Sequence, residues 1–233
     1  PVLVIGTAMR SEKMIDVESM KEVPEREMGD NMPMEKWKIG ASLYNDIDSN
    51  DSSLWYTKYL ELLYDRGIFS GYADGRFGGA NDVTAAEVAK IIAEAAEHAV
   101  DAEYDLDLTA KQRMHWASKY LKNALKYRLM SNLNDPDRSA NRQEVVEAVL
   151  KAYGFVEADL VAENLTDPFP DTDNVFVLKA YQLEIIGGYP DNTFRPDGKI
   201  NRAEVAKIIT RAIEVLEEDD GVETTLDEVF EER

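Results

Sequence analysis

One segment of this chain occurs twice. Residues 71–92 read GYADGRFGGANDVTAAEVAKII and residues 188–209 read GYPDNTFRPDGKINRAEVAKII, with 11 of 22 aligned positions identical and no gap. The offset between the copies is 117 residues, about twice the length of an ordinary repeat unit. The chain is therefore expected to fold from repeated units, with a further copy between the two clear ones.

A weaker copy does lie between them. Residues 116–121 read WASKYL, which resembles WYTKYL at residues 55–60, and each tryptophan precedes an apolar residue by 13 positions. The middle copy then reads NRQE at residues 141–144, where the last copy has NRAE at residues 201–204. It lacks the Gly-Tyr pair, and its loop is 4 residues shorter. The sequence thus predicts three units, of which the second has diverged most.

These units divide the chain. We define unit 1 as residues 41–100, unit 2 as residues 101–157 and unit 3 as residues 158–216. Residues 1–40 match no unit and are expected to form an accessory segment, and the acid-rich residues 217–233 are expected to form a solvated linker or helix end. Because the chain begins with Pro1 instead of Met, we expect a processed product or an excised piece of a longer chain.

Each unit has the pattern of two helices joined by a loop. The second helix begins with a capping box, in which a Thr or Asn caps the helix and a Glu three residues later returns to the cap N–H. Apolar residues follow at helical spacing and give one buried stripe per helix. Since a single helix pair cannot bury that stripe, three pairs are expected to pack together. The predicted capping residues are Thr84 with Glu87, Asn141 with Glu144, and Asn201 with Glu204.

The composition excludes several classes of function. There are 46 acidic and 26 basic side chains, a net charge of −20 and no cysteine. A chain this acidic is not expected to bind nucleic acid, which requires clustered Lys and Arg. Disulfides and thiolate metal sites are excluded. No apolar run approaches the ~18 residues of a membrane span, so membrane insertion is not expected.

No catalytic, cofactor or metal site is predicted either. The only histidines are His98 and His115, and no phosphate loop, HExxH or Ser-His-Asp order is present. Residues 46–51 and 135–141 resemble the start of a calcium loop, but an EF-hand needs Gly at position 6 and Glu at position 12. The chain has Asp51 and Ala140 at position 6, so neither loop qualifies, although a weaker surface calcium site stays open.

The motifs resemble those of the S-layer homology family, which occurs as three tandem units in bacterial surface proteins. The resemblance implies a mainly α fold, a pseudo-threefold spindle around a central three-helix bundle with short extended loops. It also implies that grooves between units bind secondary cell-wall polysaccharide, often carrying a pyruvyl ketal. In unit 3 the motifs are Phe169-Pro170-Asp171, residues 185–191 (IIGGYPD) and NRAE. In unit 1 they are Tyr44-Asn45-Asp46, Trp55 and residues 71–77 (GYADGRF), and in unit 2 they are Trp116-Ala117 and Arg142.

The function implied is a non-catalytic module that anchors an extracellular protein to the bacterial cell wall or S-layer. Its partner would be a cell-wall polysaccharide or a peptidoglycan-linked polymer, and possible further partners are other S-layer subunits. Two alternatives stay open. The chain is a structural or assembly module with degenerate grooves and calcium-dependent self-association, or it binds cationic, polyamine-modified peptidoglycan.

Arg142 and Arg202 are the main candidate ligand-binding residues. Both occupy the first position of a predicted helix, where the helix dipole disfavours a cation. A guanidinium beside a helix N-terminus makes a site for a carboxylate or phosphate, and the alternative is an ion pair with a nearby carboxylate. Unit 1 has Ala85 at this position, so at most two of three grooves are expected to carry the arginine.

The remaining candidates each have two interpretations. Trp55 and Trp116 stack on sugar rings or belong to the core. The pairs Gly71-Tyr72 and Gly188-Tyr189 mark turns with positive φ, and their tyrosines are also placed for sugar contact. Asp46 and Asp171 cap the first helix of their units or accept sugar hydroxyls.

Overall fold

The computed structural model describes residues 43–48, 51–96 and 108–217, so the predicted accessory segment 1–40 and residues 218–233 lie outside the described residues. Within these ranges the chain is mainly helical and has no sheet, which confirms the predicted mainly α class. None of the described helices is long and apolar enough to cross a membrane. The elements are a 3-10 turn (Thr57–Tyr59), α1 (Leu60–Asp65), α2 (Ala85–Ala95), α3 (Ala110–Met114), α4 (Ser118–Lys126), α5 (Arg142–Ala152), α6 (Glu157–Ala162), α7 (Val175–Gln182) and α8 (Arg202–Leu216).

The long helices α2, α5 and α8 begin directly after the predicted capping residues. Thr84 and Asn201 each accept from the N–H three residues on, and Glu87 and Glu204 return to the cap N–H, so both capping boxes are present. These bonds satisfy donors that a helix N-terminus otherwise leaves free.

The third predicted capping box is only half present. The Asn141 side chain accepts from the Glu144 N–H at 2.8 Å. The Glu144 carboxylate does not return to the cap, because it is bound by the guanidinium of Arg138.

The buried apolar stripes of α2, α5 and α8 face one another, and these three helices contact each other pairwise. Each also packs against a shorter helix of the following unit: α2 against α4, α5 against α7, and α8 against α1 and the 3-10 turn before it. We call the surface along these contacts groove 1/2, groove 2/3 and groove 3/1, after the units that form it.

A closed ring of backbone hydrogen bonds joins the residues that precede the three long helices. The Val83 N–H donates to the Ile200 carbonyl at 3.0 Å, the Ala140 N–H to Val83 at 2.8 Å, and the Ile200 N–H to Ala140 at 3.4 Å. All three side chains are fully buried. Each unit is therefore bonded to both of the others.

The first two N–H groups of each long helix also cross to another unit. Those of Arg202 and Ala203 donate to carbonyls of the unit 1 loop, at 3.0 Å each, and α2 and α5 repeat the arrangement. The backbone part of the predicted anion site is therefore wrong, because these donors are already used by protein carbonyls. The other donor–acceptor pairs are Ala85 with Arg138, Ala86 with Pro136, Arg142 with Gly198, and Gln143 with Pro196.

Candidate functional site

Arg202 reaches from unit 3 onto the loop of unit 1. Its side chain is almost fully buried, and its Nε donates to the Phe77 carbonyl at 2.8 Å. The guanidinium carbon lies 4.5 Å from the Tyr72 ring centroid, within the range of a cation–π contact. Its Nη1 lies 3.8 Å from Oε1 of Glu87, too far for a direct hydrogen bond. An ion pair with Glu87, the alternative to ligand binding for Arg202, is therefore present, but it has no direct hydrogen bond.

Arg142 makes the equivalent crossing from unit 2 onto the loop of unit 3. One guanidinium nitrogen donates to the Gly187 carbonyl at 3.2 Å, and the rings of Tyr189 and Phe194 lie 5.2 and 5.0 Å away. The distance to the Glu204 carboxylate is 3.6 Å. Nε of Arg142 is buried with no hydrogen-bond partner, which costs about 1–3 kcal/mol. Stability alone does not explain this arginine.

A lysine lies near each of these arginines. Lys90 is half-buried on α2, one turn after Glu87 and therefore on the same face. Burial lowers its pKa, Glu94 opposes this, and the nearby charges of Arg202 and Lys119 lower it further. Lys119 is exposed on α4, which packs against α2. Groove 1/2 thus contains a cation cluster with one residue from each unit.

Groove 3/1 contains the equivalent cluster. Lys207 is half-buried on α8, and burial lowers its pKa, as do the charges of Arg142, Lys58 and Arg211. Lys58 is exposed in the 3-10 turn that contacts α8. Arg142, Lys207 and Lys58 again come from three different units.

The two candidate tryptophans are exposed, so their interpretation as core residues is wrong. Trp55 is 48% exposed and Trp116 is 60% exposed. Their counterpart in unit 3 is Thr172, which also lies 13 residues before an apolar residue, Ile185, that follows the helix, and its hydroxyl donates to Gln143 at the start of α5. From the same register we infer that Trp116 belongs beside the start of α2 in groove 1/2, and Trp55 beside the start of α8 in groove 3/1.

The Gly-Tyr loops are held by an aromatic residue and an aspartate. A Cβ on Gly71 would lie 2.9 Å from the Tyr44 ring, and one on Gly188 would lie 2.8 Å from the Phe169 ring. Gly71 has the predicted positive φ of 77°. The prediction for Gly188 is wrong, because its φ lies outside the left-handed region. Glycine is required there by the close ring, and the Thr193 carbonyl oxygen would also lie only 3.3 Å from a Cβ.

Asp46 and Asp171 bind these loops and do not cap a helix. The two carboxylate oxygens of Asp46 accept from the N–H groups of Phe77 and Gly78, at 2.7 and 2.8 Å. Asp171 accepts in the same way from Phe194 and Arg195, and the bond from Phe194 is the main cause of its lowered pKa. Because each carboxylate oxygen has a second acceptor position, both aspartates retain the capacity to accept a hydroxyl.

The two candidate tyrosines differ in their hydroxyl contacts. The Tyr72 hydroxyl accepts from Asn81 at 3.3 Å, and both residues line an open depression that also includes Asp74 and Arg76. The Tyr189 hydroxyl donates to Glu204 at 3.0 Å, so part of its capacity is used internally.

The acidic residues of the second calcium-like loop have protein partners. The Lys111 ammonium lies 2.5 Å from Asp135 and 3.3 Å from Asp137, and His115 lies 3.0 Å from Asp137. In the described part of the chain, no group of three or more His, Asp or Glu side chains is arranged to hold a metal. Two residues of the first calcium-like loop, 49 and 50, are outside the described residues.

Sequence analysis missed the four lysines and Arg138. The signal for the lysines was present: Lys90 and Lys207 are identical at the repeat offset, and Lys58 and Lys119 each follow a tryptophan by three residues. A lysine on a helix surface is usually only solvated, so this signal alone does not predict a binding site. Arg138 has no counterpart in the other units, and only its contacts distinguish it.

Comparison with known proteins agrees with the motifs. The family model of the S-layer homology domain matches residues 43–89 and 168–206, which lie in units 1 and 3. The chain is 30% identical over 165 residues to Cell surface glycoprotein 1 of Acetivibrio thermocellus, covering 64% of this chain and 7% of that protein. It is 30% identical over 161 residues to the Cellulosome-anchoring protein of the same organism, covering 63% and 35%.

An enzyme is also among the relatives. The Amylopullulanase of Thermoanaerobacterium thermosulfurigenes is 28% identical over 181 residues, which cover 73% of this chain and 9% of the enzyme. The chain thus spans only a minor part of the length of each of these relatives. The two family matches support the S-layer homology family and leave unit 2 outside the matched regions.

Proposed function

We propose that this chain is a non-catalytic, extracellular module that anchors a bacterial surface protein by binding an acidic cell-wall polysaccharide in grooves 1/2 and 3/1. One observation carries the proposal: each of these grooves collects cations from three different units in a chain of net charge −20. The repeat register assigns one exposed tryptophan to each of the same grooves. The sequence similarity to surface and anchoring proteins, and the match of two units to the S-layer homology domain, support it.

Local cations matter here because the charge of the whole chain opposes an acidic ligand. At physiological ionic strength, exposed charges more than about 8 Å apart are largely screened. A ligand carboxylate in groove 1/2 therefore interacts mainly with Arg202, Lys90 and Lys119, and these three cations outnumber the two carboxylates beside them, Glu87 and Glu94. The same argument applies to Arg142, Lys207 and Lys58 in groove 3/1.

The guanidinium of Arg142 is held in a fixed orientation that suits a planar anion. Aromatic rings and one backbone carbonyl fix the guanidinium of Arg142, and its carboxylate neighbour is too distant for a hydrogen bond. Such a guanidinium retains N–H donors for a carboxylate or ketal oxygen of the ligand. The lysines add charge without fixed geometry, and the exposed indole ring covers an apolar sugar face.

The positive charge of grooves 1/2 and 3/1 argues against the polyamine-modified polymer as a ligand. A polyamine-modified polymer would place cations beside two existing cation clusters, which is repulsive. An assembly module with degenerate grooves would instead show calcium-dependent self-association and no saturable wall binding.

The test is a pull-down with purified sacculi that carry pyruvylated polysaccharide, and with the same sacculi after mild acid removal of the pyruvyl groups. We expect the Arg142→Ala, Arg202→Ala double variant to lose roughly a hundredfold in affinity, since hydrogen bonds to charged groups contribute ~1.5–3 kcal/mol each. The single variants should keep one groove and lose much less. Undiminished binding by the double variant would exclude the arginine mechanism.

A matched control removes two arginines elsewhere. Arg66 and Arg128 follow α1 and α4, and Arg66 pairs with Glu217 directly after the last residue of α8, whereas Lys207 lies in the first half of that helix. The Arg66→Ala, Arg128→Ala variant changes the net charge equally and is expected to bind sacculi like the unaltered chain. Circular dichroism confirms that both double variants are folded.

A further inference from the structure

Groove 2/3 lacks the arginine that the other grooves receive. In the cyclic arrangement, the first residue of α2 should send its side chain onto the loop of unit 2, but that residue is Ala85. The Ala85 N–H still donates to the unit 2 loop, where its acceptor is the carbonyl of Arg138 at 2.9 Å. The side chain of this same Arg138 turns toward Glu144, the counterpart of Glu87 and Glu204.

Arg138 makes many more hydrogen bonds than the arginines of the other grooves. Its Nε and Nη2 donate to the Asn132 carbonyl at 3.1 and 2.6 Å, and its Nη1 donates to the Ser139 carbonyl at 3.2 Å. Both terminal nitrogens also bind Glu144. These contacts use all the donors of a guanidinium, whereas Arg142 makes a single hydrogen bond to a loop carbonyl.

Side chains also close this groove from the other side. The Thr172 hydroxyl donates to Gln143 at 3.3 Å, and the Asn174 amide donates to Glu147 at 2.7 Å. Glu147 occupies the position that is Lys90 in unit 1 and Lys207 in unit 3, and it pairs with Lys151 at 3.0 Å. Groove 2/3 therefore has a carboxylate where the others have an ammonium, and a hydroxyl where the others have an indole.

We propose that Arg138 replaces, from a different position in the chain, the arginine that unit 1 lacks, and that it seals groove 2/3 as a structural contact. The chain then has two ligand grooves and one closed groove. The sealing role stands on the contacts of Arg138 alone, while the count of ligand grooves rests on the proposed function.

The first test measures thermal stability. Arg138→Gly introduces the residue that unit 3 has at this position, Gly198, and leaves Glu144 half-buried without its partner. We expect the melting temperature to fall by about 5 °C, on the scale of ~2–4 °C per kcal/mol for a chain of this size. Ala85→Arg added to Arg138→Gly should recover at least half of the loss, because the new guanidinium enters along the path used in the other two grooves. The control Arg76→Ala removes an exposed loop ion pair and should shift the melting temperature by less than ~1 °C.

A second variant covers the case in which Ala85→Arg disturbs the buried start of α2. Glu144→Gln should lower the melting temperature of the unaltered chain, because it weakens the ion pair with Arg138. In the Arg138→Gly variant that pair is already absent, so the same substitution only removes the unpaired charge and should change the melting temperature little. Additive effects of the two substitutions, or an Arg138→Gly shift no larger than that of Arg76→Ala, would overturn the proposal.

Sacculus binding supplies the third readout. The folded Arg138→Gly variant is expected to bind sacculi within twofold of the unaltered chain. A tenfold loss would mean that Arg138 contacts ligand, and would overturn the closed-groove proposal. If the unaltered chain binds no sacculi at all, the proposed function fails, while the thermal experiment still decides the sealing role of Arg138.

Discussion

Groove 3/1 and groove 2/3 have the same backbone connections and opposite side-chain chemistry. In both, the long helix donates its first two N–H groups to a loop of another unit, and the backbone ring closes behind it. Groove 3/1 has Arg142, Lys207 and an exposed tryptophan. Groove 2/3 has Glu147, Thr172 and Arg138, whose guanidinium donors are all used in hydrogen bonds within the protein. Every residue except proline supplies the same backbone N–H and carbonyl, so unit 2 has diverged in its groove and kept its place in the fold.

The largest effect is expected from breaking the ring of backbone hydrogen bonds that all three grooves share. Ala140→Pro removes an N–H of the backbone ring that donates to Val83 at 2.8 Å. Loss of this buried bond and the steric demand of the ring should cost about 3 kcal/mol or more, and should lower the melting temperature by roughly 6–12 °C. Calorimetry measures this shift.

The control is a proline that the fold already accepts. Ala73→Pro places proline after Tyr72, where unit 3 has Pro190 after Tyr189, and it should change the melting temperature by less than ~1 °C. Equal shifts for the two proline variants would contradict a shared backbone ring as the main connection between units.

A smaller change in melting temperature is expected from glycine substitutions in unit 3, and it should differ between two adjacent glycines. Gly188→Ala places a methyl group 2.8 Å from the Phe169 ring, whereas a methyl group on Gly187 meets no atom within 4 Å. We expect Gly188→Ala to cost about 2 kcal/mol, and so to lower the melting temperature by ~4–8 °C, with almost no change for Gly187→Ala. Unit 2 has Asn132 at the position of Gly188, so this contact belongs to the loops that keep the Gly-Tyr pair. Equal melting temperatures for both variants would show that the ring moves aside.

The sequence was sufficient for the features with a local cause. The starts of α2, α5 and α8 follow from their capping residues, and the Asn-Arg pair that begins NRQE and NRAE identifies the equivalent arginines. The positive φ of Gly71 likewise follows from a glycine in a turn. These features depend on residues within one helical turn, where spacing and chemistry are sufficient.

The features that were mispredicted depend on contacts between units. The helix N–H groups looked available for an anion because their acceptors, such as the Gly198 carbonyl for Arg142, belong to another unit. Glu144 looked like half of a capping box because Arg138 gives no signal of its own. Of the two interpretations of Trp116, the core interpretation is wrong because periodicity identifies a helix face but not what covers that face.

The lysines give a test of the charge difference between the grooves. Lys90→Ala with Lys207→Ala should weaken sacculus binding by about tenfold, at ~0.7 kcal/mol per lost partly exposed charge interaction. Glu147→Ala changes the equivalent position of groove 2/3 and is expected to leave binding unchanged. Quantitative pull-down at fixed ionic strength measures both, and equal losses would mean that all three grooves contact ligand.

The smallest effect is a dependence on pH. Burial, together with the charges of Arg202 and Lys119, lowers the pKa of Lys90 despite the opposing charge of Glu94, so this lysine begins to lose its charge below the usual lysine range. An acidic ligand prefers the charged lysine, and its affinity should fall as pH rises. We expect binding to be about threefold weaker at pH 10 than at pH 7.5, a difference of ~0.65 kcal/mol.

This loss is not expected to come from unfolding. A lysine whose pKa is lower in the folded than in the unfolded state releases its proton first in the folded state, so raising the pH through this range favours folding at that site. The Lys90→Arg, Lys207→Arg variant keeps its charge at pH 10 and should lose most of the pH dependence. If it weakens as much as the unaltered chain, groups other than these two lysines control the binding of the acidic ligand.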